Sequence, residues 1–469
     1  MQKYIHIDQE QRCCMKFAII GATGFVGKKL VSELLRSEHS VRVLGRSAEK
    51  VARLFGNAVE FQAWNPASPH APKEALQGVD AIIHLAGEGI ADKRWSTSQK
   101  QRIHLSRVDG TRNIVSMLKI MGESGPKTLV CASAIGFYGD RHDEILTEAS
   151  PPGNGFLSQV CIDWEKEAAL TPPSIRTVSI RIGIVLGKEG GAVKKLLPIF
   201  ATGMGGPVGN GRQWMSWIHV DDLVRLLVEA ATNPKYRGKV NGVAPGPVTN
   251  AEFSNVLGKA LHRPAFLPAP AFALKLLMGE LSVLVLSSQR VLPKVAEENG
   301  FSFRFPMLEG ALLDIVKKKE TEIECFQWVP KSRNEVFPFF ADERNLERIT
   351  PPWLHFKVSR KTTAALAEGS LIDYRLKVHG VPLKWRSKII EWKPGESFVD
   401  VQVKGPYRLW HHTHEFFPSG KGTLMRDRIR YQVPRIPLAD LFINRFVSKD
   451  IERIFSYRRA KIEEIFGAE

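Results

Sequence analysis

The sequence predicts an α/β fold with a parallel sheet, followed by an α+β domain in which an antiparallel sheet meets a long C-terminal helix. Three observations predict it. A strand, a glycine-rich turn and a helix open the chain after residue 15; apolar strands then alternate with helices to about residue 187; and from residue 322 short strand-like runs parted by Gly/Pro turns take over. At 469 residues and 52.5 kDa, with 43% hydrophobic and 25% charged residues, the chain has material for two or three cores.

The first strand is KFAII at 16–20. Gly21, Gly24 and Gly27 follow it, and then KKLVSELLRS with helical spacing. Strands are expected at 40–46 (SVRVLGR), 79–87 (VDAIIHLAG), 127–134 (KTLVCASA) and 176–187 (RTVSIRIGIVLG, with its exit loop), and helices at 107–120 and ending at 164–170. The Gly-rich stretch 187–213 interrupts this alternation with loop, helix and loop, where parallel sheets hold substrates. Residues 251–319, punctuated by five prolines, read as a substrate-side lobe.

Six strand-like runs between 323 and 433, separated by turns such as His379-Gly380 and Lys393-Pro394-Gly395, predict an antiparallel meander. Apolar positions through 438–465, without internal proline, predict one long helix. The domains are therefore 15–318 and 321–469, preceded by an N-terminal extension at 1–14, with Met15 as an alternative start.

Composition narrows the function. The 66 basic residues against 49 acidic ones give +17, but the excess is spread along the chain with no basic tail, so a nucleic-acid partner is not expected. Cys13, Cys14, Cys131, Cys161 and Cys325 form neither a disulfide framework nor a zinc pattern and suit a reducing, cytoplasmic setting. The most apolar stretch, 271–286, is too short and too interrupted to span a bilayer.

GATGFVG at Gly21–Gly27 allows a tight turn and presents free N–H groups at a helix start, which attract a pyrophosphate. A second strand ending in Gly45-Arg46-Ser47, where an acidic residue would favour an unmodified ribose, points to the 2′-phosphate of NADP, with Arg46 as clamp and Lys50 as helper. A strand-end arginine is also an ordinary solvated residue, and His84 reads equally as a core histidine. Asn65 is left unassigned.

Taken together, GATGFVG, HLAG, GTRNIV, SAIGFYG, WE, RIGIVLGKEGG, GGPVGNGRQWMSWIHVDDL and SQRVLP resemble the extended short-chain dehydrogenase/reductases. More closely, they resemble the atypical nucleoside-diphosphate-sugar epimerase-like branch of NAD-dependent epimerase/dehydratases, some of them cell-division-inhibitor-like. The resemblance covers about 15–318 and implies a Rossmann-like domain. It implies that Gly21, Gly24 and Gly27 contact the pyrophosphate, with Thr23, Phe25 and Val26 also cofactor-binding, that Arg46 takes the adenosine phosphate, that Ala86 and Gly87 meet the other half of the cofactor, and that Ser133 stands beside the nicotinamide. It also implies that His219-Val220-Asp221-Asp222 supports substrate-side packing. Residues 321–469 resemble the helix-grip superfamily of START-like lipid carriers and polyketide cyclases.

Hydride chemistry in that superfamily uses a tyrosine and, four residues later, a lysine that tunes it. Here Cys161 and Glu165 stand at those positions. The catalytic candidates are Ser133, Tyr138 and Cys161, the last read first as a structural helix residue. Substrate candidates are Glu148, Arg181, Arg212 and Gln213, since a glycine-bordered arginine can bind a carboxylate or phosphate bidentately.

The expected activity is that of an NADP-dependent oxidoreductase or epimerase on a small polar or nucleotide-linked substrate. The alternative is a non-catalytic NADP(H)-responsive binding protein. In the second domain, Trp410, His412, His414 and Phe416 share one strand face, with Trp385, Trp392 and Tyr407 adding apolar surface for a lipid-like or aromatic ligand. Local sequence fixes no third ligand beside the two histidines, so no metal site is assigned. Oligomeric state is left open.

Overall fold

The computed structural model describes residues 14–317, 320–433 and 440–467. The expected N-terminal extension lies outside them save for Cys14, as do the side chains of the first residues of the C-terminal helix. The chain divides into two compact units: one from residues up to Ala48 and from Glu60–Lys317, the other from Glu49–Val59 and the residues beyond.

In the first unit seven strands form one parallel sheet: β1 (Lys16–Ile20), β2 (Ser40–Gly45), β3 (Glu60–Ala63), β4 (Ala81–His84), β5 (Thr128–Ala134), β6 (Arg176–Ile182) and β7 (Gly238–Gly242). Their order is β7-β6-β5-β4-β1-β2-β3. This doubly wound order reverses beside β1, so a crevice opens at the carboxyl ends of β1 and β4. Phe17, Ala18 and Ile19 are fully buried, as expected for a strand covered on both faces; Phe17 and Ile19 each contribute roughly 1.5–3 kcal/mol.

The covering helices are α1 (Phe25–Arg36), α2 (Thr97–Met121), α3 (Phe156–Ala169) and α5 (Val220–Thr232), with α1 packed on α5 and α2 on α3. Helix α4 (Gly191–Ala201) and α6 (Asn250–Leu261) pack together at residues 191–261, where Phe200, Trp217, Phe253 and Leu257 share a core. The expected strand over 176–187 breaks at Gly183, where a Cβ would stand 2.7 Å from the Ser216 carbonyl oxygen. The helix expected at 107–120 starts ten residues earlier, capped by the Ser96 hydroxyl accepting from Gln99 N–H. Strands β3 and β7 are additional to those expected.

The second unit carries an antiparallel sheet of seven strands: β8 (Thr321–Val329), β9 (Lys357–Lys361), β10 (Leu371–Val378), β11 (Val381–Lys393), β12 (Ser397–Lys404), β13 (Leu409–Ser419) and β14 (Gly422–Gln432). After β8 come α7 (Arg333–Phe340) and α8 (Glu343–Ile349), and the chain closes with α9 (Asp440–Phe466). His379 and Gly380 both have positive φ (49° and 82°) and form the two-residue turn between the paired Val378 and Val381. Phe337, Phe398, Phe416 and Ile462 join helices and sheet in one core, which is the helix-grip arrangement. On β14, Arg426 is buried between Glu324 (2.6 Å) and Glu415 (2.9 Å). Among the described residues, no helix is long and apolar enough to cross a membrane.

Candidate functional site

At the crevice beside β1, the glycines leave no room for side chains. Gly21 has φ +90°, and a Cβ there would meet Ala86 N and Leu85 C at 2.9 Å; one at Gly27 would stand 2.2 Å from Gly21 O. Gly24 is the N-cap of α1, with no side chain capping the helix, so the first turn presents its N–H groups outward. A cradle of backbone donors that any Cβ would fill fits a pyrophosphate.

Thr23, Phe25 and Val26 are half-buried in the same turn. The Phe25 ring lies against Gly187 and Gly190, where added Cβ atoms would sit 2.5 and 2.3 Å from it. Arg46 is exposed just past the end of β2, whose Leu44 is level with Ile20 of β1. Ala86 and Gly87 follow β4, and Gly87 faces the Arg107 guanidinium at 3.0 Å from its would-be Cβ.

Deeper in, a buried polar network crosses the sheet. Register places Ser133 of β5, Arg181 of β6 and Asn241 of β7 in one row. Arg181, 1% exposed, donates from Nε and Nη2 to the two oxygens of Glu165, each at 2.8 Å, and from Nη1 to the Tyr138 hydroxyl at 2.9 Å. Ser133 Oγ donates to Glu165 Oε1 at 2.7 Å. Tyr138 donates to Asn241 Oδ1 (2.7 Å) and faces the Thr147 carbonyl (3.0 Å). Glu165, at the position expected of a lysine, is thus the counter-ion of Arg181. A buried bidentate pair of this kind is tolerable because every charged edge is matched.

The proposed catalytic residues differ in setting. Ser133 is 3% exposed and bonded to Glu165. Tyr138 is fully buried, and burial, opposed by Arg181, raises its phenol above the ordinary range. Burial pushes the Cys161 thiol up to about 11, with Glu165 adding to the rise, so it stays protonated at neutral pH.

Arg107, which the sequence reading passed over, packs over Trp164 at 5.4 Å and donates to the Ile103 carbonyl; burial depresses its pKa, while Cys161 and Glu88 oppose the fall. It has no ion pair among the described residues. His84 is fully buried with neither ring nitrogen hydrogen-bonded, and burial, aided by Arg107, lowers it to about 4.

The substrate candidates separate. Arg181 lies inside the network. Glu148 Oε1 accepts from Asn241 N–H (2.9 Å) and Val295 N–H (3.2 Å), while its buried Oε2 has no partner. Arg212 is exposed, its N–H bonded to Asn210 Oδ1. Gln213 is buried and donates to the Val208 and Val285 carbonyls, tying two loops together. His219 caps α5 by accepting from Asp221 N–H, and Asp222 accepts from Arg304 and Phe305 N–H, so that segment is tied to residues 304–305.

In the second unit a cavity of about 220 Å³ lies between the sheet and α8 and α9, with walls that include Leu346, Phe340, Trp385 and Phe455. One polar side is formed by Asp400, His412, His414 and Arg458. The expected face-sharing of Trp410, His412 and His414 is present, and Asp400 joins them from the neighbouring strand.

Comparison with known proteins agrees with both halves. Residues 17–242 match the NAD dependent epimerase/dehydratase family, 269–315 match a domain of unknown function, and 329–455 match the polyketide cyclase/dehydrase and lipid transport family. The chain is 43% identical to an epimerase family protein, the SDR39U1 homolog of Arabidopsis thaliana described as chloroplastic, over 65% of this chain and 87% of that one. It is 37% identical to the epimerase family protein YfhF of Bacillus subtilis, over 66% of this chain and all of YfhF. Among solved structures, human epimerase family protein SDR39U1 with NADPH is 32% identical, with TM-score 0.59, covering 65% of this chain and 99% of that one.

Proposed function

Since this chain belongs, over residues 17–242, to the NAD dependent epimerase/dehydratase family, we propose that residues 15–318 form an NADP-dependent oxidoreductase or epimerase for a small polar or nucleotide-linked substrate. Residues 321–469 then form a separate module that holds an apolar ligand. The dispersed cysteines favour a cytoplasmic setting.

The observation that carries the reading is the glycine cradle with Arg46 beside it. Gly21, Thr23, Gly24, Phe25, Val26 and Gly27 would hold the pyrophosphate, Arg46 the 2′-phosphate, and Ala86, Gly87 and Ser133 the nicotinamide half. NADP, when bound, supplies a hydride acceptor. Arg107 would bring positive charge beside Gly87 in place of the missing lysine. Glu165 and Arg181 would act as positioning residues that hold the Ser133 hydroxyl and the Tyr138 phenol. The human relative with NADPH supports NADP over NAD.

A second reading, a non-catalytic NADP(H)-responsive binding protein, is favoured by one observation: the residues at the expected proton-transfer positions are a protonated buried thiol and a paired carboxylate.

Calorimetry with NADP, NADPH, NAD and NADH tests the cofactor, and incubation with nucleotide sugars, followed by absorbance and isomer composition, tests turnover. Absence of NADP(H) binding by folded protein overturns both readings. Tight binding without turnover across that panel favours the second, which then requires the affinity of the second module for an apolar fluorophore to differ between the apo, NADP and NADPH forms.

A further inference from the structure

The second unit contains a cluster that neither the dinucleotide reading nor an apolar ligand accounts for. Two residues apart on β13, His412 and His414 direct their rings to the cavity side of the sheet. Asp400 of β12 is paired with His412, and Asp427 of β14 with His414, so four ionisable side chains from three adjacent strands converge. The imidazole centroids are 3.8 Å apart, and both rings are 5% exposed.

These groups satisfy one another only in part. His412 Nε2 reaches Asp427 Oδ1 at 3.0 Å and His414 Nε2 reaches Asp400 Oδ1 at 3.3 Å. His412 Nδ1 stands 3.5 Å from Asp400 Oδ1 without a hydrogen bond. His414 Nδ1 is 2.7 Å from Asp427 Oδ1 yet has no properly directed hydrogen bond. Half-buried Asp400 and buried Asp427 share the cluster with one buried arginine, Arg458, whose Nε lacks a hydrogen-bond partner. With both imidazoles neutral, one negative charge remains for a bound cation or a proton to neutralise.

We infer that Asp400, His412 and His414 form a binding site for a divalent transition metal of the zinc type, with one coordination position open to the apolar cavity. One ligand atom from each of the three lies within 4.8 Å of the others. The two separations from Asp400 Oδ1, 3.5 Å to His412 Nδ1 and 3.3 Å to His414 Nε2, are close to the edge of a ligand tetrahedron around zinc, roughly 3.3–3.4 Å for bonds of about 2.0–2.1 Å.

Asp427 completes the arrangement from outside. It bonds the other nitrogen of His412 and does not line the cavity, the place of a carboxylate that orients a ligating imidazole. Three protein ligands with an open fourth position mark a site that can receive a donor atom from a bound molecule. The ligand class that fits is an amphiphile whose oxygen or nitrogen head meets the metal while its apolar body lies against Leu346, Phe340 and Phe455.

The test uses the full chain, stripped with chelator and titrated with Zn2+ and Co2+. One Zn2+ per chain is expected, with Kd below about 1 μM, and Co2+ should give the intense visible bands of four-coordination. Asp400→Asn and His414→Gln should each weaken Zn2+ at least 100-fold, and Asp427→Asn about 10- to 100-fold at unchanged stoichiometry. The affinity of the first unit for NADPH should not change in any of the three.

Octanohydroxamate should shift the cobalt bands by filling the open position. The inference is overturned if folded wild-type protein takes up no stoichiometric metal, if bound Co2+ shows only the weak bands of a hydrated six-coordinate ion, or if Zn2+ affinity is indifferent to Asp400→Asn and His414→Gln. The wild-type cobalt spectrum decides the matter even where a variant fails to fold. Metal uptake with a cobalt spectrum that octanohydroxamate leaves unmoved overturns the open position.

Discussion

Glu165→Gln is the perturbation that most directly probes the first unit. Arg181 is 1% exposed and gives two of its donors to Glu165, each at 2.8 Å. Glutamine keeps one acceptor oxygen but turns an NH2 group toward a guanidinium N–H, so one donor is left facing another donor and the buried cation loses its counter-charge. Beyond that one oxygen, the guanidinium keeps the Tyr138 hydroxyl, the distant Glu148 carbonyl and the Phe137 ring at 3.5 Å, none of which carries a negative charge. Removing one member of a buried pair costs about 3–5 kcal/mol, and at roughly 2–4 °C per kcal/mol the first unit should melt on the order of 10 °C lower. The assay is thermal and urea unfolding followed by circular dichroism. The double variant Glu165→Met with Arg181→Met should lie closer to wild type than Glu165→Gln does, because it removes both charges from the interior. A Glu165→Gln protein within about 1 kcal/mol of wild type would refute the assignment of Glu165 as counter-ion.

Other outcomes follow from the same geometry. Arg46→Asp should weaken NADPH at least about 10-fold and leave NADH unchanged or tighter, read by calorimetry. Gly27→Ala places a Cβ 2.2 Å from Gly21 O and should abolish dinucleotide binding, measured against the unfolding midpoint to separate it from misfolding. His84 is held neutral down to about 4, whereas in the unfolded chain it protonates near 6.5. Its contribution is therefore complete above about pH 6.5 and is lost as pH falls through 4, a loss of roughly 3 kcal/mol that His84→Asn should flatten in stability measured against pH. Cys161, with its thiol at about 11, should escape iodoacetamide at pH 8 in folded protein, while exposed Cys14 reacts; peptide mass spectrometry gives the answer, and rapid Cys161 labelling would contradict its burial.

What the sequence disclosed, and what it hid, divides by chain distance. The cradle was readable because Gly21, Gly24 and Gly27 act within seven residues, and strand and helix flank them directly. The meander and long helix were readable because alternation and turn residues are local signals. Asn241 was missed because GKVNG is a short strand with little apolar patterning, and its meaning appears only when β7 lies in register with Arg181. Arg107 looked like one more polar position on a helix; only the approach of Gly87 sets it apart. Asp400 was invisible as a partner of His412 because strand pairing, not spacing, brings them together. The substitution at Glu165 was noticed, but its pairing across sixteen residues with Arg181 needed the fold.

The Phe25 ring is wedged among Gly187, Gly190 and Gly191, with Gly191 at φ +71° and a Cβ there 2.1 Å from the Val185 carbonyl oxygen. The glycine turn at 21–27 and the loop at 187–191 therefore share one aromatic contact. A bulkier residue at 190 would press on that ring and, through it, on both loops at once, because the glycines leave the ring no slack on either side.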